Sequence, residues 1–312
     1  MAGYIGNKAV NLSTSGADIS GTANLDAVDI DGNLDVNGGT IKLDGNYPTG
    51  TGNVALGDDA LRDGSLSGGN NTAIGHYALY ANTSGTENTS VGRGNLDANT
   101  TGSHNTALGS TALSSSSTGS YNTALGSLAL NANTTASSNT AVGYQAGYSN
   151  TTGGTNTALG NSSFFTNTTG YGNSSVGWES LYSNTTGALN TAIGRQSLRA
   201  NTTAGNNTAV GYRAAYSNTT GTEMTAVGIE ALYSNTSGNT NSALGRRSLY
   251  SNTTGVNNSA FSARALYTNT TGNYNVAVGM DSLYSNTTAS NNTAVGYRAL
   301  EDNTTGSPNT AV

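Results

Sequence analysis

The sequence predicts an all-β chain, a parallel β-solenoid built from 17-residue coils. Three observations lead there. An Asn recurs every seventeen residues from Asn71 to Asn309, with Met224 the one substitute and no insertion in between. Each repeat sets an Ala or Ser before a single larger apolar residue, as in Ala209 and Val210. Seventeen residues are also too few for two useful helices and a turn.

Composition requires such an economy. Leu, Ile, Val and Phe supply 48 of the 312 residues, too few for an ordinary packed core. Charged residues are only 9%, so the chain is not a self-repelling disordered one. Sparse apolar residues suffice when stacked units place them identically. The chain has no Cys, which excludes disulfides and thiolate metal sites. No apolar run approaches the length of a membrane span, so no membrane insertion is expected. The opening MAGYIGNKAVNLSTSGADIS lacks the basic and apolar regions of a signal peptide, which favours assembly in the cytosol or a leader already removed.

With Asn71 as position 1, the consensus is N-T-A-V-G-x-x-A-L-Y-S-N-T-T-G-x-x. A looser copy begins at Asn53, so the repeat shaft is assigned to residues 53–312, about fifteen coils. Position 4 is always apolar, as in Val142, Leu159, Val176, Ile193, Val210, Val227, Leu244, Val278 and Val295. Position 9 is mostly Leu, as in Leu181, Leu198, Leu232, Leu249, Leu266 and Leu283. These two rows are the expected core or oligomer seam. Gly at position 5 (Gly143, Gly160, Gly177, Gly194, Gly211, Gly228) reads as a turn, and the Asn-Thr-Thr-Gly at 12–15 as another. Two short strands are then expected in each coil, over positions 2–4 and 7–10. An extra residue would break two ladders, which accounts for the constant spacing. At roughly 4.8 Å per rung, fourteen repeats make a rod of about 67 Å.

Two apolar anchors per coil bury too little to offset the ordering of seventeen residues. A bundle of parallel solenoids sharing a central seam is therefore expected. Tyr stands at position 10 in eight copies, among them Tyr216 and Tyr250, and suits that seam or an outer aromatic stripe.

The first 52 residues differ. Residues 1–63 hold nine acidic and three basic residues, so the whole net charge of −6 sits at that end. ANLDAVDIDGNLDVNGGTIKLDG alternates apolar and acidic residues, which suits short strands within 21–52. Residues 1–20 have no strong pattern and suit an extended peptide. DIDGNLD (Asp29, Asp31, Asn33, Asp35) invites a calcium reading, but it lacks the spacing and terminal Glu of a full calcium loop. An acidic outer face is the better account, and no metal is expected.

Catalysis finds little footing. His76 and His104 occupy different repeat positions, 6 and 17, without a recurring carboxylate and nucleophile. No catalytic residue and no cofactor is assigned. Position 7 carries charges that stacking brings together, with Arg213–Glu230–Arg247 and Arg264–Asp281–Arg298 the expected pairs. The alternative for that strip is recognition of acidic glycans. Residues 64–312 carry eight acidic and eight basic residues and no net charge, which argues against nucleic acid. Asn-x-Ser/Thr sequons such as the one at Asn150 read better as a stacked Asn–Thr ladder than as glycan sites.

NTAVGY and NTAIGR resemble the repeats in the head domains of trimeric autotransporter adhesins. The resemblance spans residues 53–312 and implies a left-handed parallel β-roll assembled as a parallel homotrimer. The seventeen-residue period is longer than that family's usual coil. The Asn-Thr-Thr-Gly repeats also resemble those in tail-fibre proteins of bacteriophages, and MAGYIGNKAVNLSTSGADISG resembles the N-terminal segment of such virion fibres. That second likeness implies a structural fibre of the virion, assembled in the host cytoplasm. Residues 1–20, with Met1, Tyr4 and Ile5, would attach it to other virion proteins of the tail or capsid. The rod would project towards a host surface receptor such as a glycan. A continuation beyond Val312 is expected on this reading. The alternatives are the head of a bacterial cell-surface adhesin and an ice-binding solenoid with Thr rows.

Overall fold

The computed structural model describes residues 51–62 and 67–312. The attachment peptide with Met1, Tyr4 and Ile5, the DIDGNLD stretch and nearly all of the 21–52 segment lie outside the described residues.

Sixteen short strands, from β1 (Val54–Leu56) and β2 (Thr72–Ile74) to β15 (Thr293–Val295) and β16 (Thr310–Ala311), form one parallel sheet. Spatial order follows chain order without a crossover, and the described residues contain no helix. Register is one coil per step: Thr208, Ala209 and Val210 face Thr225, Ala226 and Val227. Identical residues therefore stack. At roughly 4.8 Å per rung, the fifteen steps from β1 to β16 span about 70 Å.

Each coil contributes one strand, not the expected two. Positions 2–4 form it; positions 7–10 are a turn. The cause is which side chains must point inward. Ala231 and Leu232, at positions 8 and 9, are both fully buried. Neighbours in a strand face opposite sides, so a strand would bury only one of them. The chain instead takes left-handed backbone at positions 7 and 9, with φ 57° at Arg247 and 51° at Leu249. Such backbone costs a non-Gly residue about 1–2 kcal/mol. Burial of the Leu offsets part of that cost. A ladder bond does the same, the Leu249 amide donating to Ala265 O at 3.0 Å.

Hydrogen bonding between coils continues around the turns. The Glu230 amide donates back to Tyr212 O (2.9 Å), and the Thr236 amide donates forward to Thr253 O (2.9 Å). Gly at position 5 is a true turn residue: Gly143 has φ 133°, and a Cβ there would lie 2.7 Å from the Gly160 carbonyl carbon. Position 15 is small for a different reason from the one expected. Gly255 has no positive φ, but a Cβ on it would come within 2.5 Å of Gly272 O. Close approach of coils, not handedness of the turn, limits that position to Gly or Ala, as at Ala136, Ala204 and Ala289.

The interior is narrow. Rows of small residues, mostly Ala and Ser, at positions 3 and 8 and Leu at position 9 fill it, with Leu181, Leu198, Leu232, Leu249, Leu266 and Leu283 completely buried. The position 4 row does not belong to that interior. Because Ala209 points in, Thr208 and Val210 on either side of it point out. Val142 is 38% exposed and Ile193 41%, with Val227, Leu244, Val278 and Val295 close behind. Leu159, Val176 and Val210 are half-buried.

Candidate functional site

The most regular internal feature is a pair of Asn ladders. At position 12, Asn252 donates through Nδ2 to Asn235 Oδ1 in the previous coil (2.8 Å) and to Gly255 O in its own (3.0 Å). At position 1, the Asn258 amide donates to Asn241 Oδ1 (3.0 Å), and Asn258 Nδ2 donates to Gly272 O (2.8 Å). Amide side chains thus occupy the corners of the coil, where a polar group must be fully bonded to be buried. Asn150 of the sequon series is buried and bonded to Asn133 and Gly153, so its amide is not free to carry a glycan. The Thr of the same turn divide their roles. Thr151 Oγ1 donates to Thr168 O at 2.9 Å, while Thr152 is exposed.

Outside, three features run along the rod. The first is the apolar row at position 4, unbroken from Leu56 to Val295 and aliphatic but for Phe261, on the same sheet face as the Thr of position 2. A continuous apolar strip of this length is unusual on a solitary soluble chain.

The second is the aromatic ladder. Tyr216, Tyr233, Tyr250, Tyr267 and Tyr284 stack with ring centroids 5.1–5.2 Å apart and planes within 3–9°. Tyr148, Phe165 and Tyr182 form a shorter stack. Arg199 occupies the rung between the two, its guanidinium 5.1 Å from the Tyr182 ring and 5.9 Å from Tyr216. The Tyr residues of the series are half-buried, which places them in an outer stripe of this chain. Burial pushes the Tyr250 phenol above its ordinary pKa.

The third is the charged strip. Arg247 Nε meets Glu230 at 2.7 Å and Arg264 Nη2 meets Asp281 at 2.7 Å, as stacking predicts. The outer members of the expected triplets pair elsewhere. Arg213 donates to Gln196 Oε1 (2.9 Å), and Arg298 turns to Glu301 in its own coil (3.4 Å). Glu179 accepts from Arg199 Nε (2.8 Å) and Gln196 (3.0 Å). Burial raises its pKa, but those hydrogen bonds and the charges of Arg199 and Arg195 outweigh burial and hold it below the ordinary value.

Sequence reasoning missed partners one coil away. His104 Nδ1 lies 3.1 Å from Glu87, and its ring stacks on Tyr121 at 4.8 Å. Both partners sit seventeen residues from His104 in sequence, so the repeat spacing itself could have found them. His76 Nε2 lies 3.7 Å from Asp58 in the preceding coil. Among the described residues no group of His, Asp and Glu could hold a metal ion. Among the described residues no helix is long and apolar enough to cross a membrane.

Comparison with family models, with curated proteins and with solved structures finds no match to this chain. The functional reading therefore rests on geometry: a hydrogen-bonded stack with an apolar strip outside it.

Proposed function

We propose that the chain is the shaft of a bacteriophage virion fibre and works as a parallel homotrimer. The outward row from Leu56 to Val295 carries this reading. A single coil has no room for these side chains, because the Ala or Ser before each one already fills the interior. Three parallel copies would bury the rows against one another along a shared axis. In that assembly the N-terminal residues attach to other virion proteins, and the outer faces approach a host surface receptor. Such a rod has no catalytic work to do; it supplies length and stiffness.

Light scattering on the purified chain tests the assembly. Three chains per particle is the expected result, and a monomer at micromolar concentration would refute it. Gold-labelled antibody against the repeat, imaged on phage particles, tests the location.

One observation favours a second reading. Thr208 and Val210 share the outward face of one strand, and this pairing recurs along the sheet. A flat array of Thr methyl, hydroxyl and aliphatic groups suits ice binding. Thermal hysteresis in a solution of monomeric chain would support that reading; a stable trimer that buries the array would exclude it.

A further inference from the structure

We infer that the rod carries a binding site for an acidic saccharide at the coil of Ala263. Position 6 in successive coils reads Arg246, Ala263, Met280, so one rung is truncated between two long ones. The truncation opens a hollow of about 410 Å³. That is the size of a small-ligand pocket.

Its lining suits one chemistry. Arg246 and Arg247 reach it from one rung and Arg264 from the next, and Tyr267 and Tyr284 also line it. Two of the arginines are already held: Arg247 by Glu230 and Arg264 by Asp281, each at 2.7 Å. Asp281 is buried, so the Arg264 guanidinium is fixed at its inner end and offers its remaining N–H groups outward. Among the described residues Arg246 has no carboxylate partner. Three guanidinium groups against two carboxylates leave one positive charge. A guanidinium fork matches a carboxylate or sulfate oxygen pair. The tyrosines add phenol hydroxyls for sugar hydroxyls, and Met280 adds an apolar wall for a sugar's C–H face. An anion with several hydroxyls and an apolar face uses all of these groups; a bare inorganic anion uses only the arginines.

The biological source of such a ligand, a host-surface polysaccharide, rests on the fibre reading above; the chemistry of the hollow does not. The two are tested apart, since oligomeric mass reports on the fibre and saccharide titration on the hollow.

The experiment titrates the full chain with tri-galacturonate, a sulfated disaccharide, neutral maltotriose and sodium sulfate by calorimetry. Saturable binding of either acidic saccharide is expected, at least tenfold tighter than sulfate alone, with no heat from maltotriose. The carboxylated and sulfated arms show which acid group the arginines prefer. Arg246→Ala is expected to weaken binding at least tenfold. Ala263→Leu, which restores the missing rung, is expected to abolish it while circular dichroism and thermal midpoint hold. No binding of either acidic saccharide overturns the proposal. So does sulfate binding as tightly as the saccharides, or binding that survives Ala263→Leu in a folded protein.

Discussion

Asn99 Oδ1 and Ser116 Oγ, on successive rungs of one ladder, are both buried and both without a hydrogen-bond partner. The other coils from Asn82 to Asn303 have Asn at position 12, and where the coil before also has one, Nδ2 reaches its oxygen, as at Asn99 and Asn252. Ser is too short to make that reach. The ladder is therefore broken between Asn99 and Asn133, whose Nδ2 keeps only its bond to Ala136 O at 3.1 Å.

Ser116→Asn should repair the break. The new Nδ2 can donate to Asn99 Oδ1, and its own oxygen can accept from Asn133. Relief of two buried orphan atoms is worth roughly 1–3 kcal/mol. A raised denaturation midpoint and slower amide exchange in coils 99–133 would confirm it; an unchanged or lowered midpoint would count against the ladder as a source of stability.

The reverse change belongs in an intact stretch. Asn252→Ala removes the donor to Asn235 and the acceptor used by Asn269 (2.8 Å). The loss should be roughly 2–3 kcal/mol, since neighbours are left unpaired in a dry interior. Hydrogen exchange should quicken in the coils on both sides, not only in the mutated one.

The two apolar rows should respond differently. Leu249→Ala empties a fully buried site and should cost about 2–5 kcal/mol. Val227→Asp lies on the outward face, 36% exposed, and should leave the circular dichroism of the chain intact while lowering its mass in solution. If Val227→Asp keeps the wild-type mass, the outward row is not an interface.

Acidification should act through Glu179. Its pKa is depressed in the folded chain, so its contribution to stability is present above the ordinary value of 4.5 and is lost as pH falls through the folded value. Glu179→Gln should be less stable than wild type at pH 7, by no more than about 1 kcal/mol. The gap should close in stronger acid. Asp97 has the opposite sign: burial raises its pKa, so its ionised form is the costly one. Asp97→Asn should raise the midpoint at pH 7, with the gain fading as pH falls and Asp97 takes up its proton.

Periodicity alone determined that this chain is a stack. The seventeen-residue step, the single Leu and the small residues at positions 3, 5 and 15 admit one arrangement, because only coils in strict register keep every ladder whole. Two things needed the tertiary structure. Leu249 at φ 51° could not be read from a Leu among small residues, since left-handed backbone there is favoured only once neighbouring coils bond it and bury the side chain. The direction of the position 4 row could not be read either. Val in Thr-Ala-Val reads as the natural core residue, yet the coil is so thin that Ala fills its interior and the larger neighbour must turn outward. The hollow beside Arg246 likewise exists only where three coils meet, for Ala263 becomes a gap only when longer side chains flank it on the adjacent rungs.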